Sequence, residues 1–474
     1  MINNYIRQQI SHFFPFPPTK EQLLALNVLS EFIASHRDHT LVLLKGYAGS
    51  GKTSLLGATV KALNELKQKT VLMAPTGRAA KVFSEYAKQN AYTIHKKIYR
   101  QKKFSNELTG FSLTDNLYKN TLFIVDEASM ISNTSDGNHS FGSGNLLDDL
   151  IQYVYSGEHC KLILMGDAAQ LPPVFQSESP ALNADFLRGY RLEVHEIHLT
   201  EVVRQNADSG ILYNATQIRE SLRKKQMNNY PVLYLNSFAD IKKISGEDLI
   251  EEISSAYSTD GIDDTMIICR SNKRANIYNN GVRNRILYRE EEISAGDRLM
   301  VVKNNYFWMS PKDDQDFIAN GDIIKVIRVL RSYEIYEFRF CDALIQFQDY
   351  ELELEIRILL DTLQQESPSL PKELNDKLFF NILEDYTEEK TKAGKIKKMK
   401  TDPYYNAVQV KYAYAITCHK AQGGQWKNVF LDIGYITKEM LGEDFYRWFY
   451  TAITRATHQL YFVNLPKDFE VKEK

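Results

Sequence analysis

Four short apolar runs, LVLLKG (41–46), TVLMAP (70–75), TLFIVDE (121–127) and KLILMGD (161–167), are each followed by turn or helix signals. Continuous apolar strands separated by helical stretches predict a parallel sheet with helical crossovers, covered on both faces. A second set, TMIICRS (265–271), VQVKYAYAIT (408–417), NVFLDIG (428–434) and QLYFVN (459–464), predicts another α/β layer, cut in two by a long insertion. Inside that insertion GDRLMVVKNN, NGDIIKVIRVL, YEIYEFRF and YELELEIRI alternate apolar and polar residues, the period of antiparallel strands, with turns such as Asn320-Gly321 between them. A small β-barrel is expected there. Residues 98–120 are too long for a simple sheet connection and read as a β-hairpin, with Phe104 and Phe111 on either side of a polar turn. The stretch SNTSDGNHSFGSGN (132–145) is a flexible loop by composition. No internal repeat of fixed period is present.

The first apolar run leads into GYAGSGKTS (46–54) and then into a helical pattern with Leu55, Leu56, Val60 and Leu63 on its apolar face. This is a phosphate-binding loop. Glycines let successive N–H groups turn inward around phosphate oxygens at a helix N-terminus. Gly46, Ala48, Gly49, Ser50, Gly51, Lys52, Thr53 and Ser54 are the candidate ATP ligands, Lys52 as a charge on the β- and γ-phosphates and Thr53 as a ligand of Mg²⁺. Asp126 and Glu127 end the strand FIVDE at the carboxyl edge of the sheet, where Asp126 suits Mg²⁺ and Glu127 suits orienting or deprotonating the attacking water. Gln170, in GDAAQLPPV after the next strand, would sense the γ-phosphate. Arg204 in LTEVVRQ and Arg455 in YTAITRATHQL are candidate guanidinium fingers from outside the first sheet.

A chain of 474 residues that is 43% hydrophobic has room for two or three cored domains. Its formal net charge of −2 gives no global attraction for nucleic acid, so any such surface must be local. The segment 270–289 holds six basic residues and no acidic one, and 388–402 holds six lysines; each reads either as a solvated face or linker or as a nucleic-acid contact. Cys160, Cys269, Cys341 and Cys418 lie far apart, mostly in strand-like runs, and suggest buried thiols rather than disulfides or a zinc site. No run reaches the length of a membrane span, and the N-terminus lacks a signal-peptide design, so a cytoplasmic protein is expected.

Taken in order, these segments resemble superfamily one helicases of the RecD-like branch, with the related Pif family and the Dda phage helicase, over nearly the whole chain. The resemblance implies two RecA-like parallel-sheet domains, a hairpin insertion in the first and an SH3-like β-barrel insertion in the second. It implies a first domain over 1–200, with the pin at 98–120, a second over 201–292 and 404–474, and the barrel with its basic linker over 293–403. It implies Gln22 in TKEQLLAL as an adenine contact. Thr76, Gly77 and Arg78 of APTGRAAK, His95 of TIHKK, and His419 and Lys420 of AITCHKAQGGQW are implied as single-strand contacts. Gln425 stands where relatives often have a glutamate toward the ribose, Ala421 where they often have serine, and Tyr47 where a smaller residue is common. The implied activity is ATP- and Mg²⁺-dependent translocation 5′ to 3′ on single-stranded DNA with unwinding of duplex forks, by a monomer, with protein partners in repair or recombination compatible with that role. An RNA helicase of the same superfamily, a non-translocating switch or loader, and the motor subunit of a larger exonuclease are the alternatives.

Overall fold

In a computed structural model, residues 2–101, 111–134, 142–201, 209–236, 238–309, 317–348, 352–389 and 391–470 are described. The first sheet is parallel and six-stranded, in the order Ala91–Thr93, Lys69–Ala74, Thr121–Val125, Lys161–Gly166, Thr40–Gly46, Glu193–Leu199. The second is parallel and five-stranded, in the order Ala415–Thr417, Thr265–Cys269, Trp426–Asp432, Ala456–Val463, Ile241–Ile244. Both match the expected α/β layers. Three edge strands, Ala91–Thr93, Glu193–Leu199 and Ile241–Ile244, were not expected: each pairs on one side only, the first is three residues long, and the other two carry polar residues that hide the apolar signal. Outside the phosphate loop, the apolar runs do what continuous hydrophobicity dictates: Leu41 to Leu44, Phe123 to Val125 and Leu162 to Met165 are wholly enclosed between helices.

The insertion closes into a five-stranded barrel of Arg298–Val301, Ile323–Ile335, Phe338–Phe347, Glu353–Leu359 and Val408–Tyr412. The last of these corrects the sequence reading. The run 408–417 is not one strand of the second sheet: Val408–Tyr412 closes the barrel, and Ala415–Thr417 joins the second sheet after Ala413 and Tyr414 carry the chain across. Nothing in its apolar pattern marks the division, since both halves are buried. The lysine-rich stretch is not an extended linker either. Lys392–Lys400 is a helix capped by Thr391, and its Met399 joins Leu378 and Ile382 of helix Lys372–Leu383 in a small apolar cluster over the barrel. All four cysteines are buried and unbridged.

The basic segment 270–289 is mostly the helix Asn272–Arg285, and its arginines divide: Arg270 and Arg285 are exposed, whereas Arg283 is buried. Arg283 grips Asp297 through two bonds of 3.0 Å, Arg289 adds a third at 2.8 Å, and the Tyr414 hydroxyl donates to the same carboxylate at 3.0 Å. Arg274 binds Asp432 at 2.8 Å. Asp297 is fully buried and joins the helix, the entry to the barrel and the crossing at Tyr414. Among the described residues no helix is long and apolar enough to cross a membrane.

Removing one partner of a buried ion pair leaves the other charge uncompensated. Asp297→Ala should therefore lower the stability of the second sheet and barrel by about 3–5 kcal/mol, measured as the shift of the corresponding urea transition. A shift under about 1 kcal/mol would show that solvent screens this node.

Candidate active site

Strand Thr40–Gly46 delivers the phosphate loop to helix Lys52–Glu65. Gly49 and Gly51 take left-handed backbone angles, φ 79° and 81°, which is why side chains are excluded there. The Lys52 ammonium donates to the carbonyls of Gly46 at 2.7 Å and Tyr47 at 2.9 Å, so it is held within the loop's own concavity. Gln22 is 1% exposed; its carbonyl accepts from the Thr19 amide in a capping box, and its amide donates to the Ser50 carbonyl at 3.0 Å. In this arrangement Gln22 fixes the loop to helix Lys20–Ala34. The cleft beyond it, a cavity of about 300 Å³, is lined by Phe14, Phe16 and Tyr86, by Thr53 and Asp126, and by Arg455.

Asp126 and Glu127 leave the strand Thr121–Val125 at its carboxyl end, as expected. Glu127 sits at φ 52°, a conformation few side chains adopt, and its amide donates to the Asp126 carboxylate at 2.7 Å. Enclosure in the cleft, then the Glu127 charge, push the Asp126 carboxyl up, with Lys52 opposing. A divalent cation would relieve that cost, and the oxygen donors Thr53 and Asp126 suit Mg²⁺. Gln170 is buried at 5% exposure and lines the cleft, and its side-chain oxygen has no partner among the described residues. A buried acceptor of that kind awaits a donor.

The far wall comes from the second sheet. Helix Glu443–Ile453 lies against the loop after strand Lys161–Gly166: the Tyr450 hydroxyl donates to Asp167 at 2.7 Å and accepts from the Ala48 amide at 2.9 Å, and Thr451 accepts from the Leu171 amide at 2.9 Å. Arg447 donates to the carbonyl of Ala168, Gln422 to that of Leu171 at 2.7 Å, and Arg219 stacks on Tyr47 at 4.3 Å. Sequence reading missed Arg219, Arg447 and Tyr450. Tyr450 opens the YTAITRA segment, but no local signal says that its hydroxyl crosses to the other sheet. Arg455, one turn further along, is 2% exposed, lines the cleft and donates to the carbonyls of Thr451 at 3.0 Å and Gly424 at 3.1 Å.

The strand-contact candidates divide. Thr76 caps helix Gly77–Ala87 by accepting from the Ala79 amide, and Gly77 is buried in its first turn. Arg78 donates to the Gln425 carbonyl at 2.9 Å and lies over the Trp426 ring at 4.1 Å. These three residues stand at the seam between the sheets. His95 packs against Tyr99, and burial pushes its imidazole down to about 4, so at neutral pH it is an uncharged ring and not a cationic phosphate contact. His419 is exposed on the short helix Cys418–Ala421, and Lys420 beside it donates to Asn320 of the barrel turn. Arg204 and Phe104 lie outside the described residues. The hairpin is present as Tyr99–Gln101 paired with Phe111–Leu113, but Phe111 is not a protruding wedge. It is buried, 4.6 Å from the ring of Tyr306 and 6.2 Å from that of Phe317, both from the insertion.

At the seam, Gly423 has φ 73°, and a Cβ there would stand 3.0 Å from the Ala79 Cβ and 3.2 Å from the Thr76 hydroxyl. Gly423→Val should hold the sheets apart and lower nucleotide turnover at least about tenfold, while the circular dichroism spectrum stays that of the parent. Parental turnover would mean that this approach is not needed for chemistry.

Residues 26–231 match the model of an AAA domain, and residues 412–463 match that of a UvrD-like helicase C-terminal domain. A Pif1 helicase from Bacteroides, solved in complex with ADP-AlF3 and ssDNA, aligns at a TM-score of 0.48 and 15% identity, over 97% of this chain and 95% of that one. The uncharacterized protein R530 of Acanthamoeba polyphaga mimivirus is 25% identical across 94% of this chain and 99% of its own length. The ATP-dependent DNA helicase dda of Enterobacteria phage T4 is 23% identical across 94% of this chain and 99% of its own length. With both family models falling on the two sheets in order, and relatives aligned from end to end, the chain belongs to the superfamily one helicases of the Pif1, RecD and Dda family.

Proposed function

We propose that the protein is an ATP-driven motor that moves 5′ to 3′ along single-stranded DNA and separates duplex ahead of it. The observation that carries this reading is the cleft itself: the phosphate loop and Asp126-Glu127 come from one sheet, and Arg455 comes from the other. Lys52 and the loop amides hold the β- and γ-phosphates, Glu127 orients and deprotonates the attacking water, and Gln170 holds that water against the γ-phosphate. Arg455, joined by Arg204, meets the charge that grows on the γ-oxygens, so hydrolysis is tied to approach of the sheets. Thr53 and Asp126 would hold Mg²⁺, which would supply charge neutralisation at the phosphates.

The strand runs across the edge where the sheets and barrel meet. His419 offers an exposed ring to a base, and Lys420 a charge to a phosphate. The hairpin, braced through Phe111 by Tyr306 and Phe317, stands as the pin at the fork. The partial identity to dda, a DNA helicase by name, supports DNA over RNA as the track.

Strand displacement on matched DNA and RNA duplexes with a 5′ or a 3′ tail tests the reading. Only the 5′-tailed DNA duplex should be opened, and Lys52→Ala should stop both opening and hydrolysis while retaining single-strand affinity. Opening from a 3′ tail would overturn the polarity, opening of RNA alone would overturn the substrate, and unaltered hydrolysis in Lys52→Ala would overturn the motor.

Burial pushes the Lys420 ammonium down to about 8. A lysine so placed is charged at pH 7 and loses its proton toward pH 9, so strand binding that uses it must weaken as pH rises. Fluorescence anisotropy at fixed salt should show that decline in the parent, and Lys420→Arg should flatten it. An equal decline in both would remove Lys420 from the strand contact.

A further inference from the structure

Helix Glu443–Ile453 turns three successive polar side chains, Arg447, Tyr450 and Thr451, toward the turn 167–171 of the first sheet; their spacing of three and four places them on one helix face. The Thr451 and Arg447 bonds go to that turn's backbone. Tyr450 differs. Its hydroxyl, on a fully enclosed ring, bridges two separate segments of the first sheet: it accepts from the Ala48 amide in the phosphate loop at 2.9 Å and donates its one proton to Asp167 at 2.7 Å. Asp167 is itself buried, and its other carboxylate oxygen accepts from the Ala169 amide at 2.9 Å, which shapes the turn that ends in Gln170. The Gln170 amide closes the same turn on the Asp167 carbonyl at 3.2 Å, and the Gln170 side-chain oxygen is the unpartnered acceptor in the cleft. Burial and Asp167 both hold the phenol far above its ordinary titration range, so it always donates in this direction.

We infer that Tyr450 is a positioning residue for hydrolysis: its hydroxyl, carried by the second sheet, locks the phosphate loop to the Asp167 turn and thereby sets Gln170 over the γ-phosphate only when the sheets are closed. Both partners of the hydroxyl belong to the first sheet, so when helix Glu443–Ile453 withdraws, Ala48 and Asp167 lose their link together. The bridge is then a test of closure made one hydrogen bond away from the water-orienting amide. Arg455, in the turn that follows the same helix, would be withdrawn by the same movement, so charge stabilisation and water positioning switch as a unit. The inference rests on the motor reading above.

The test is Tyr450→Phe, which keeps the ring and removes the bridge. Strand-stimulated kcat should fall about tenfold or more with KM for ATP within about twofold, the pattern of an interaction made in the transition state rather than on binding. Tyr446→Phe on the same helix, whose hydroxyl donates to the Asn229 carbonyl within the second sheet's own domain, is the control for losing a buried phenol and should leave kcat unchanged. Because Tyr450→Phe lowers stability as well, the cycle with Asp167→Asn supplies a second measure: in a bridge the double variant is no slower than the worse single variant. Parental kcat in Tyr450→Phe, an equal loss in Tyr446→Phe, or additive losses in the cycle would overturn the assignment. Absence of strand-stimulated hydrolysis in the parent would instead overturn the motor reading.

Discussion

The cleft of this molecule depends on one contact, the docking of helix Glu443–Ile453 against the phosphate loop and the turn beyond Gly166. Neither sheet alone encloses a nucleotide. The bonds across the seam are specific, and those of Tyr450 to Asp167, Thr451 to Leu171 and Gln422 to Leu171 pair buried groups, so leaving any of these unmade is costly. They are reinforced by apolar contact, since Tyr47 and Ala48 of the phosphate loop and Ala169 and Leu171 of the turn pack into the same cluster as the core of the second sheet. A seam of this kind is firm when closed, yet small enough to be opened and remade, as the proposed motor requires.

The fold was largely legible because buried parallel strands are long apolar runs, and eight of those runs were read as strands of two layers. Legibility failed where the physical signal is shared between layers. Val408–Tyr412 and Ala415–Thr417 are equally apolar, yet one closes the barrel and the other enters the sheet, a distinction made by Tyr414 reaching Asp297 from more than a hundred residues away. The edge strands failed for the opposite reason, because one-sided pairing tolerates Glu193, His195 and Lys242.

At the site, the phosphate loop, Asp126-Glu127 and Gln170 stand where their motifs place them, since each is fixed by a strand end. Residues whose meaning depends on the other domain were less legible. Arg78 reads as a phosphate contact in sequence but lies on Trp426 across the seam, and Phe111 reads as a wedge but is packed beneath the barrel. The near-neutral net charge conceals a similar internal economy, because basic residues such as Arg274, Arg283 and Arg289 are matched by acids inside the molecule.

The split strand run also governs the order in which the polypeptide becomes competent. Strand Thr265–Cys269 lies between Ala415–Thr417 and Trp426–Asp432, so as the chain emerges during synthesis it waits for its neighbours until the whole barrel has been made. Contacts so distant in sequence form late and slowly. The first sheet, whose strands are complete by Leu199, folds well before them and exposes a finished phosphate loop. Since Tyr450 and Arg455 come late in the chain, the motor reading implies that a nascent chain lacking them presents the phosphate loop without the groups that complete the cleft.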